Sequence, residues 1–233
     1  MPFVMPVKEV TEGGPYGRLF DADKDTLKLG SYQSFEMGEL MNKKSAVLPT
    51  LLYLFHVIER SCDGSPTFII LDECWTFLDN PIFAEKIREW LKTMRKNNVA
   101  IIFATQNLTD IEKSTISSAI IESCLTKIFL PNANALDSSN DEVYQRFSLN
   151  ETERLILSKA MPKREYYYKS ILGSRLFELA LSPFALSYVA SASKADQEQI
   201  LRIQKEYPNE DFNIHWMKYK NQQEALKVYR DHL

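Results

Sequence analysis

Thr67-Phe68-Ile69-Ile70-Leu71-Asp72-Glu73 is the stretch that decides the fold. Five apolar or β-branched residues run straight into two adjacent carboxylates, the pattern of a buried parallel strand that delivers Asp72 and Glu73 at its C-terminal edge. Open α/β sheets carry their chemistry at that edge. Further along, Val99-Ala100-Ile101-Ile102-Phe103-Ala104 repeats the pattern and presents Thr105 and Gln106 at the same edge. Between the two, residues 82–97 read as a crossover helix: Phe83, Ile87, Trp90, Leu91 and Met94 recur at helical spacing, and Glu85, Arg88, Glu89, Lys92 and Lys96 face outward. Asn97-Asn98 is an amide-rich stop that tolerates left-handed geometry.

Asp72, Glu73 and Gln106 are the residue types that phosphoryl transfer from ATP to water requires. The reaction needs a carboxylate at the Mg²⁺ shell, a group that orients or deprotonates the attacking water, and a polar sensor of the γ-phosphate. Asp72 suits the first role, Glu73 the second and Gln106 the third. A strand end wearing two solvated acids is the plain alternative, and the Asp-Glu pair alone favours neither. The Gln after a second buried strand moves the balance towards chemistry. The Gly-rich phosphate loop G-x-x-x-x-G-K-[ST] that belongs with this half-site is absent from the sequence. Gly13-Gly14-Pro15-Tyr16-Gly17-Arg18 lacks the Lys, contains a Pro and follows no strand, so it reads as a turn. Gly173-Ser174-Arg175 lacks both the upstream Gly and the Lys. The expectation is a chain that begins downstream of the nucleotide cradle and does not bind ATP tightly alone.

Bulk properties agree with a cytoplasmic machine part. The chain has 233 residues, 45% hydrophobic and 25% charged, enough for one substantial core or a core with an appendage. No run approaches the roughly 18 apolar residues of a membrane span, and Met1-Pro2-Phe3-Val4-Met5-Pro6 lacks a basic n-region. Cys62, Cys74 and Cys124 have no metal-like spacing and an odd count, so they read as reduced core residues. His56, His215 and His232 show no metal spacing either, and His56 reads as a packed histidine. A net charge of -3 makes no global case for nucleic-acid binding and leaves it to local patches.

The rest of the chain continues the α/β alternation and then turns helical. Arg18-Leu19-Phe20-Asp21 reads as a short strand end and residues 27–35 as extended. Residues 46–60 read as a helix apolar nearly all round, buried against the sheet, with Pro49 in its first turn. A second crossover helix is expected over 110–124, and a third core strand at Thr126-Lys127-Ile128-Phe129-Leu130-Pro131. Short helices follow at 141–147 and 151–160. Residues 165–171 and 175–181 form a hairpin turned at Gly173-Ser174. From Pro183 onward the chain reads helical, through 195–206 and 221–231, with a loop around Pro208-Asn209 between them.

Five segments in order carry a family resemblance: Leu71-Asp72-Glu73-Cys74-Trp75; Glu89-Trp90-Leu91-Lys92-Thr93-Met94-Arg95-Lys96-Asn97; Phe103-Ala104-Thr105-Gln106; Thr126-Lys127-Ile128-Phe129-Leu130-Pro131-Asn132; and Lys163-Arg164-Glu165-Tyr166-Tyr167-Tyr168. From about Gly17 to about Leu186 the sequence resembles the traffic ATPase of type IV secretion systems, the CagE/TrbE/VirB group. The resemblance implies an α/β RecA-like P-loop NTPase core, mostly parallel sheet with flanking helices. The expectation is that this core, over residues 1–190, is incomplete at its N-terminal side, with a helical tail at 191–233.

Carried onto matching positions, the resemblance implies that Asp72 holds Mg²⁺ through water, Glu73 polarises the lytic water and Gln106 senses the γ-phosphate. Arg95 and Lys96 approach the nucleotide or the next subunit, and Arg164 and Arg175 are candidates for a trans-acting arginine finger. The plain reading of each cation is an exposed residue paired with a neighbouring acid. It is preferred for Arg88 and Lys92, and for Arg95 both readings stand. ATP and Mg²⁺ are implied only once a phosphate-loop segment completes the site. The implied partners are other secretion components, a coupling protein, the inner-membrane channel and further copies of the chain, at the cytoplasmic side and peripheral to the inner membrane. Tyr166-Tyr167-Tyr168 beside Lys163 and Arg164 suits single-stranded DNA in type, but such residues more often serve core and interface. A docking module without hydrolysis and a DNA-pumping coupling-protein relative remain as alternatives.

Overall fold

The computed structural model describes residues 13–14, 16–21, 23–25, 27–78, 80–191 and 193–231. Met1 to Pro6, Pro15 and His232 lie outside the described residues. The fold is a mixed α/β arrangement with a parallel strand pair and flanking helices, divided into two compact units. The first comprises the described part of Met1–Thr126 with Asp137–Glu151, the second Lys127–Leu136 with the described part of Thr152–Leu233.

In the first unit β1 (Thr67–Asp72) pairs in parallel with β2 (Val99–Ala104), with Thr67 opposite Val99 and Asp72 opposite Ala104. Side chains alternate between faces along each strand. Ile69 and Val99 lie on the buried face, whereas Phe68 and Ile70 on the other are 70% and 66% exposed. The crossover is a helix at Pro81–Thr93 that tightens into a 3-10 turn at Met94–Asn97. Asn80 caps it, its side-chain oxygen accepting from the amides of Ile82 (3.0 Å) and Phe83 (3.5 Å), and Pro81 starts the first turn where its missing N–H costs nothing. Asn98 closes it with a left-handed backbone, φ 60, as the amide-rich stop predicts.

The helix buries Phe83, Ala84, Ile87 and Trp90, and Phe55 of the Lys44–Ser61 helix packs on Phe83 and Trp90 at centroid distances of 5.0 and 4.3 Å. Trp90 Nε1 donates to Glu59, whose carboxylate also pairs with Lys86 at 2.6 Å, so the buried indole N–H is satisfied. The helix pair is held by an aromatic cluster rimmed with one ion pair.

Several local expectations are corrected. The Lys44–Ser61 helix is not buried all round: Leu48, Leu51 and Phe55 form a buried face and Ala46 is buried near its start, whereas Tyr53 and His56 are exposed. Pro49 sits in its second turn rather than its first. Gly17–Phe20 is a one-turn helix, not a strand end. The expected helix over 110–124 is two, Leu108–Lys113 and Ser117–Ser123, because Ser114 Oγ accepts from the Ile116 amide and competes with the helical ladder.

The strand expected to extend the parallel core, β3 (Lys127–Phe129), instead opens a separate antiparallel sheet in the second unit, ordered β3, β4 (Glu165–Ser170), β5 (Gly173–Glu178). The hairpin turns at Ile171-Leu172, two residues earlier than expected. There Ser170 Oγ accepts from the Leu172 amide at 3.1 Å, and Gly173 takes φ 131. The inner face of this sheet carries Phe129 and Tyr167. Buried Glu153, from the Glu151–Lys159 helix, accepts from Tyr167 Oη (2.9 Å) and Lys169 Nζ (2.6 Å).

The tail of this unit has four helices, Pro183–Val189, Lys194–Glu206, Phe212–Tyr219 and Gln223–Arg230; the third was not read from sequence. Ser182, Ser193 and Asp211 cap the first three, and Ile203, Trp216, Met217 and Leu226 are buried. Among the described residues no helix is long and apolar enough to cross a membrane.

Candidate active site at the carboxylate edge

The parallel register brings the ends of β1 and β2 level, so that Asp72 lies opposite Ala104. The Glu73 amide donates to the Ala104 carbonyl at 3.2 Å and carries the ladder one residue past the strand. Glu73 itself takes φ 53, a left-handed backbone that a non-glycine residue adopts at a cost of about 1–2 kcal/mol. Such strain persists where surrounding bonds over-determine it. Two do so here: the ladder bond on the amide, and a side-chain bond in which Gln106 Nε2 donates to Glu73 Oε1 at 2.6 Å. Thr105 shapes the loop that delivers Gln106, its hydroxyl accepting from the Asn107 amide (3.1 Å) and donating to the Asn107 carbonyl (2.9 Å). Asp72 is exposed and has no hydrogen-bond or ion-pair partner among the described residues.

Asp72, Glu73 and Gln106 therefore share one edge, and Glu73 and Gln106 touch. Cys74 lies beside them, but burial, reinforced by the charges of Asp72 and Glu73, pushes its thiol up to about 12. Burial thus favours its neutral thiol, as in a packed core cysteine.

The remaining predicted site residues stand elsewhere. Arg95 and Lys96 lie in the 3-10 turn that precedes β2, at the strand's opposite end. At about 3.3 Å per residue the strand sets them about 20 Å from Gln106. Arg164 and Arg175 belong to the second unit. The Arg164 guanidinium is bound to Glu178 through both Nε and a terminal nitrogen, and Arg175 is exposed on β5 opposite Tyr168. Arg88 is half-buried: it pairs with Glu85 at 3.9 Å and a terminal nitrogen donates to the Thr115 carbonyl, while its buried Nε makes no hydrogen bond among the described residues.

Gly13 and Gly14 form a turn ahead of the four-residue Gly17–Phe20 helix, with the Gly17 amide donating to the Gly14 carbonyl. Among the described residues no group of three or more His, Cys, Asp or Glu is placed to hold a metal ion. The donor set at this edge fits Mg²⁺ nonetheless, because that ion is held by one or two carboxylates, waters and substrate phosphates and not by an all-protein cage. Sequence reading missed the direct Glu73–Gln106 bond and the Thr105–Asn107 turn. The T-x-N spacing was the available signal for the turn.

A sequence profile of the TraG P-loop domain matches residues 2–175. The chain is 44% identical over 220 residues to the second portion of a probable conjugal transfer protein TrbE of Sinorhizobium fredii, covering 94% of this chain and 33% of that protein. It is 47% identical over 198 residues to the conjugal transfer protein TrbE of Rhizobium radiobacter, covering 84% and 24%. It is 33% identical over 173 residues to the type IV secretion system protein VirB4 of Bartonella quintana, covering 73% and 22%. The chain thus spans a third or less of these relatives' length.

Proposed function

The chain belongs to the TraG P-loop domain family of type IV secretion traffic ATPases, and from that premise we propose that these residues supply the catalytic half of an ATP-hydrolysing site whose phosphate loop lies on an upstream segment or a second chain. The observation that carries the proposal is the convergence of Asp72, Glu73 and Gln106 at the C-terminal edge of β1 and β2, with Gln106 bonded to Glu73 at 2.6 Å.

Asp72 would hold Mg²⁺. Mg²⁺, when bound with the ATP phosphates, supplies the charge neutralisation that phosphoryl transfer needs. Glu73 takes up the proton of the attacking water at its carboxylate, which the left-handed backbone presents beyond the strand end. A Gln amide has two N–H donors. One of those on Gln106 holds Glu73, and the other is available to a γ-phosphate oxygen, so a single side chain links the sensor to the base.

The wider assignments rest on the family alone. They are coupling of hydrolysis to pilus assembly and substrate transfer, a position peripheral to the inner membrane, oligomerisation, and contact with a coupling protein and the channel. Of the proposed trans-acting cations, Arg175 is exposed whereas Arg164 is held by Glu178, so Arg175 is the better candidate. Arg95 and Lys96 are assigned to a neighbouring subunit in preference to the nucleotide of their own. The test is ATP hydrolysis by the chain mixed with the separately produced remainder of a TrbE relative. Phosphate release that Glu73→Gln abolishes supports the reading, and persistent inactivity of the mixture favours a docking module.

A further inference from the structure

Two large apolar side chains stand at the tip of the β4–β5 hairpin, Ile171 at 77% and Leu172 at 91% exposure, more open than any other large apolar residue described in the second unit. Tight turns are usually filled by Gly, Asn, Asp, Ser or Pro, and Gly173 and Ser174 stand beside this one without occupying its tip. Behind the tip the charge is graded. Lys169 and Arg175 lie within three residues of it, Lys127 of β3 stands opposite Lys169, and from Tyr166 to Phe177 the hairpin holds no acid. Its acids, Glu165 and Glu178, face each other at the far end. Glu153 engages Lys169, whereas Arg175 is exposed and has no ion pair among the described residues. Tyr168 and Tyr166 continue on the face of Arg175, half-buried, with Tyr166 stacked on Phe177 at 5.8 Å.

We propose that this tip is a membrane contact, with Ile171 and Leu172 entering the boundary between headgroups and acyl chains of an anionic bilayer and Arg175 at the lipid phosphates. An interfacial segment reaches about 5–10 Å into that boundary. At about 3.3 Å per residue Lys169 and Arg175 stand about 7–10 Å behind the tip, level with the phosphates once it is submerged. An apolar tip followed by basic and tyrosine rows matches the layering of a bilayer surface from hydrocarbon through phosphate to water, where Tyr keeps its ring in the interface and its hydroxyl wet. A protein pocket for Ile171 and Leu172 would place no demand on the charge behind them. The turn also enters with its polar groups occupied, because Ser170 Oγ accepts from the Leu172 amide at 3.1 Å and donates to the Gly173 carbonyl at 3.5 Å, which a medium without water requires. No residue of the catalytic edge takes part. The contact therefore stands apart from the motor reading and rests on the membrane-peripheral position given above, for which it names the element that touches lipid. In this role Arg175 serves lipid in place of a neighbouring nucleotide.

The experiment floats the full chain with vesicles of equal parts phosphatidylglycerol and phosphatidylcholine, and separately with vesicles of phosphatidylcholine alone. The expected result is binding to the anionic vesicles that weakens at high salt and on phosphatidylcholine alone. Ile171→Ser combined with Leu172→Ser should lower that binding about tenfold or more, and Arg175→Gln alone about fivefold. The circular dichroism of both variants should stay that of the parent chain, because the three side chains are exposed. No binding, equal binding to the two kinds of vesicle, or binding that Arg175→Gln leaves unchanged would overturn the proposal. Anionic-vesicle binding that the double variant keeps in full would overturn it too, while leaving the membrane-peripheral position standing on some other element.

Discussion

The β1–β2 edge of the first unit and the sheet of the second treat their carboxylates in opposite ways. In the β3–β4–β5 unit the acids are engaged: Glu153 by Tyr167 and Lys169, Glu178 by Arg164, Asp196 by Lys220 at 2.6 Å, and Asp211 by Tyr229 at 2.7 Å. Each buried or half-buried carboxylate there completes a local network, which is what a structural role demands. At the β1–β2 edge the two carboxylates stand next to each other, Asp72 without a partner among the described residues and Glu73 on a left-handed backbone with a single side-chain bond. The sheet face that leads to them is left open and apolar. Local stability would be served by pairing those acids and covering that face, and the contrast is what the proposed catalytic role of Asp72 and Glu73 calls for.

The contrast can be broken at four points. Glu73→Gln keeps size and the Gln106 contact but removes the proton acceptor, so turnover in the completed ATPase should fall by about 10²–10⁴ with nucleotide affinity retained, as phosphate release and nucleotide titration will read. Trp90→Ala empties the aromatic cluster under the crossover helix, leaves Glu59 with Lys86 alone and should cost the first unit about 3–5 kcal/mol in denaturant unfolding. Glu153→Leu leaves the Tyr167 hydroxyl and Lys169 without their acceptor, and a loss of about 1–3 kcal/mol confined to the second unit is expected from hydrogen exchange over β4.

The smallest effect is a pH effect on the tail. The Lys220 contact, then Ser193, holds Asp196 below the usual carboxylate range, and the Tyr229 hydroxyl, then the Asn213 amide, does the same for Asp211. A carboxyl whose folded pKa is depressed adds stability that is present above its unfolded value of about 4 and is lost as pH falls through the folded value. Fluorescence of buried Trp216 should therefore hold steady from neutral pH down to about pH 5 and report loosening only below about pH 4. Asp196→Asn should abolish its share of that acid transition.

How much of this was legible in sequence follows from how local each signal is. The Thr67–Asp72 and Val99–Ala104 strands and the helix between them were readable because apolar runs, the carboxylate stop and the Asn98 turn are all local. So was the shared position of Asp72, Glu73 and Gln106, since two parallel strands of six residues joined by one crossover end level. Pairing partners are not local: Lys127-Ile128-Phe129 reads as a strand, but nothing in it says that it faces Tyr167 and Tyr168 in an antiparallel sheet. The hairpin turn was misplaced because Gly173-Ser174 is the stronger turn signal, while the bond from the Leu172 amide to Ser170 and the Ser170–Gly173 pairing put two apolar residues at the tip. The far placement of Arg95 and Lys96 was deducible in principle, because a crossover helix returns the chain to the N-terminal end of the next strand. A motif match gives no such direction.

The most direct test of the shared edge is a double-mutant cycle on ATP turnover, with Glu73→Gln, Gln106→Leu and both together in the chain completed with a phosphate-loop segment. If the two side chains act as one unit, the double variant will be no slower than Glu73→Gln alone. Losses that multiply, each variant slowing turnover independently of the other, would contradict it.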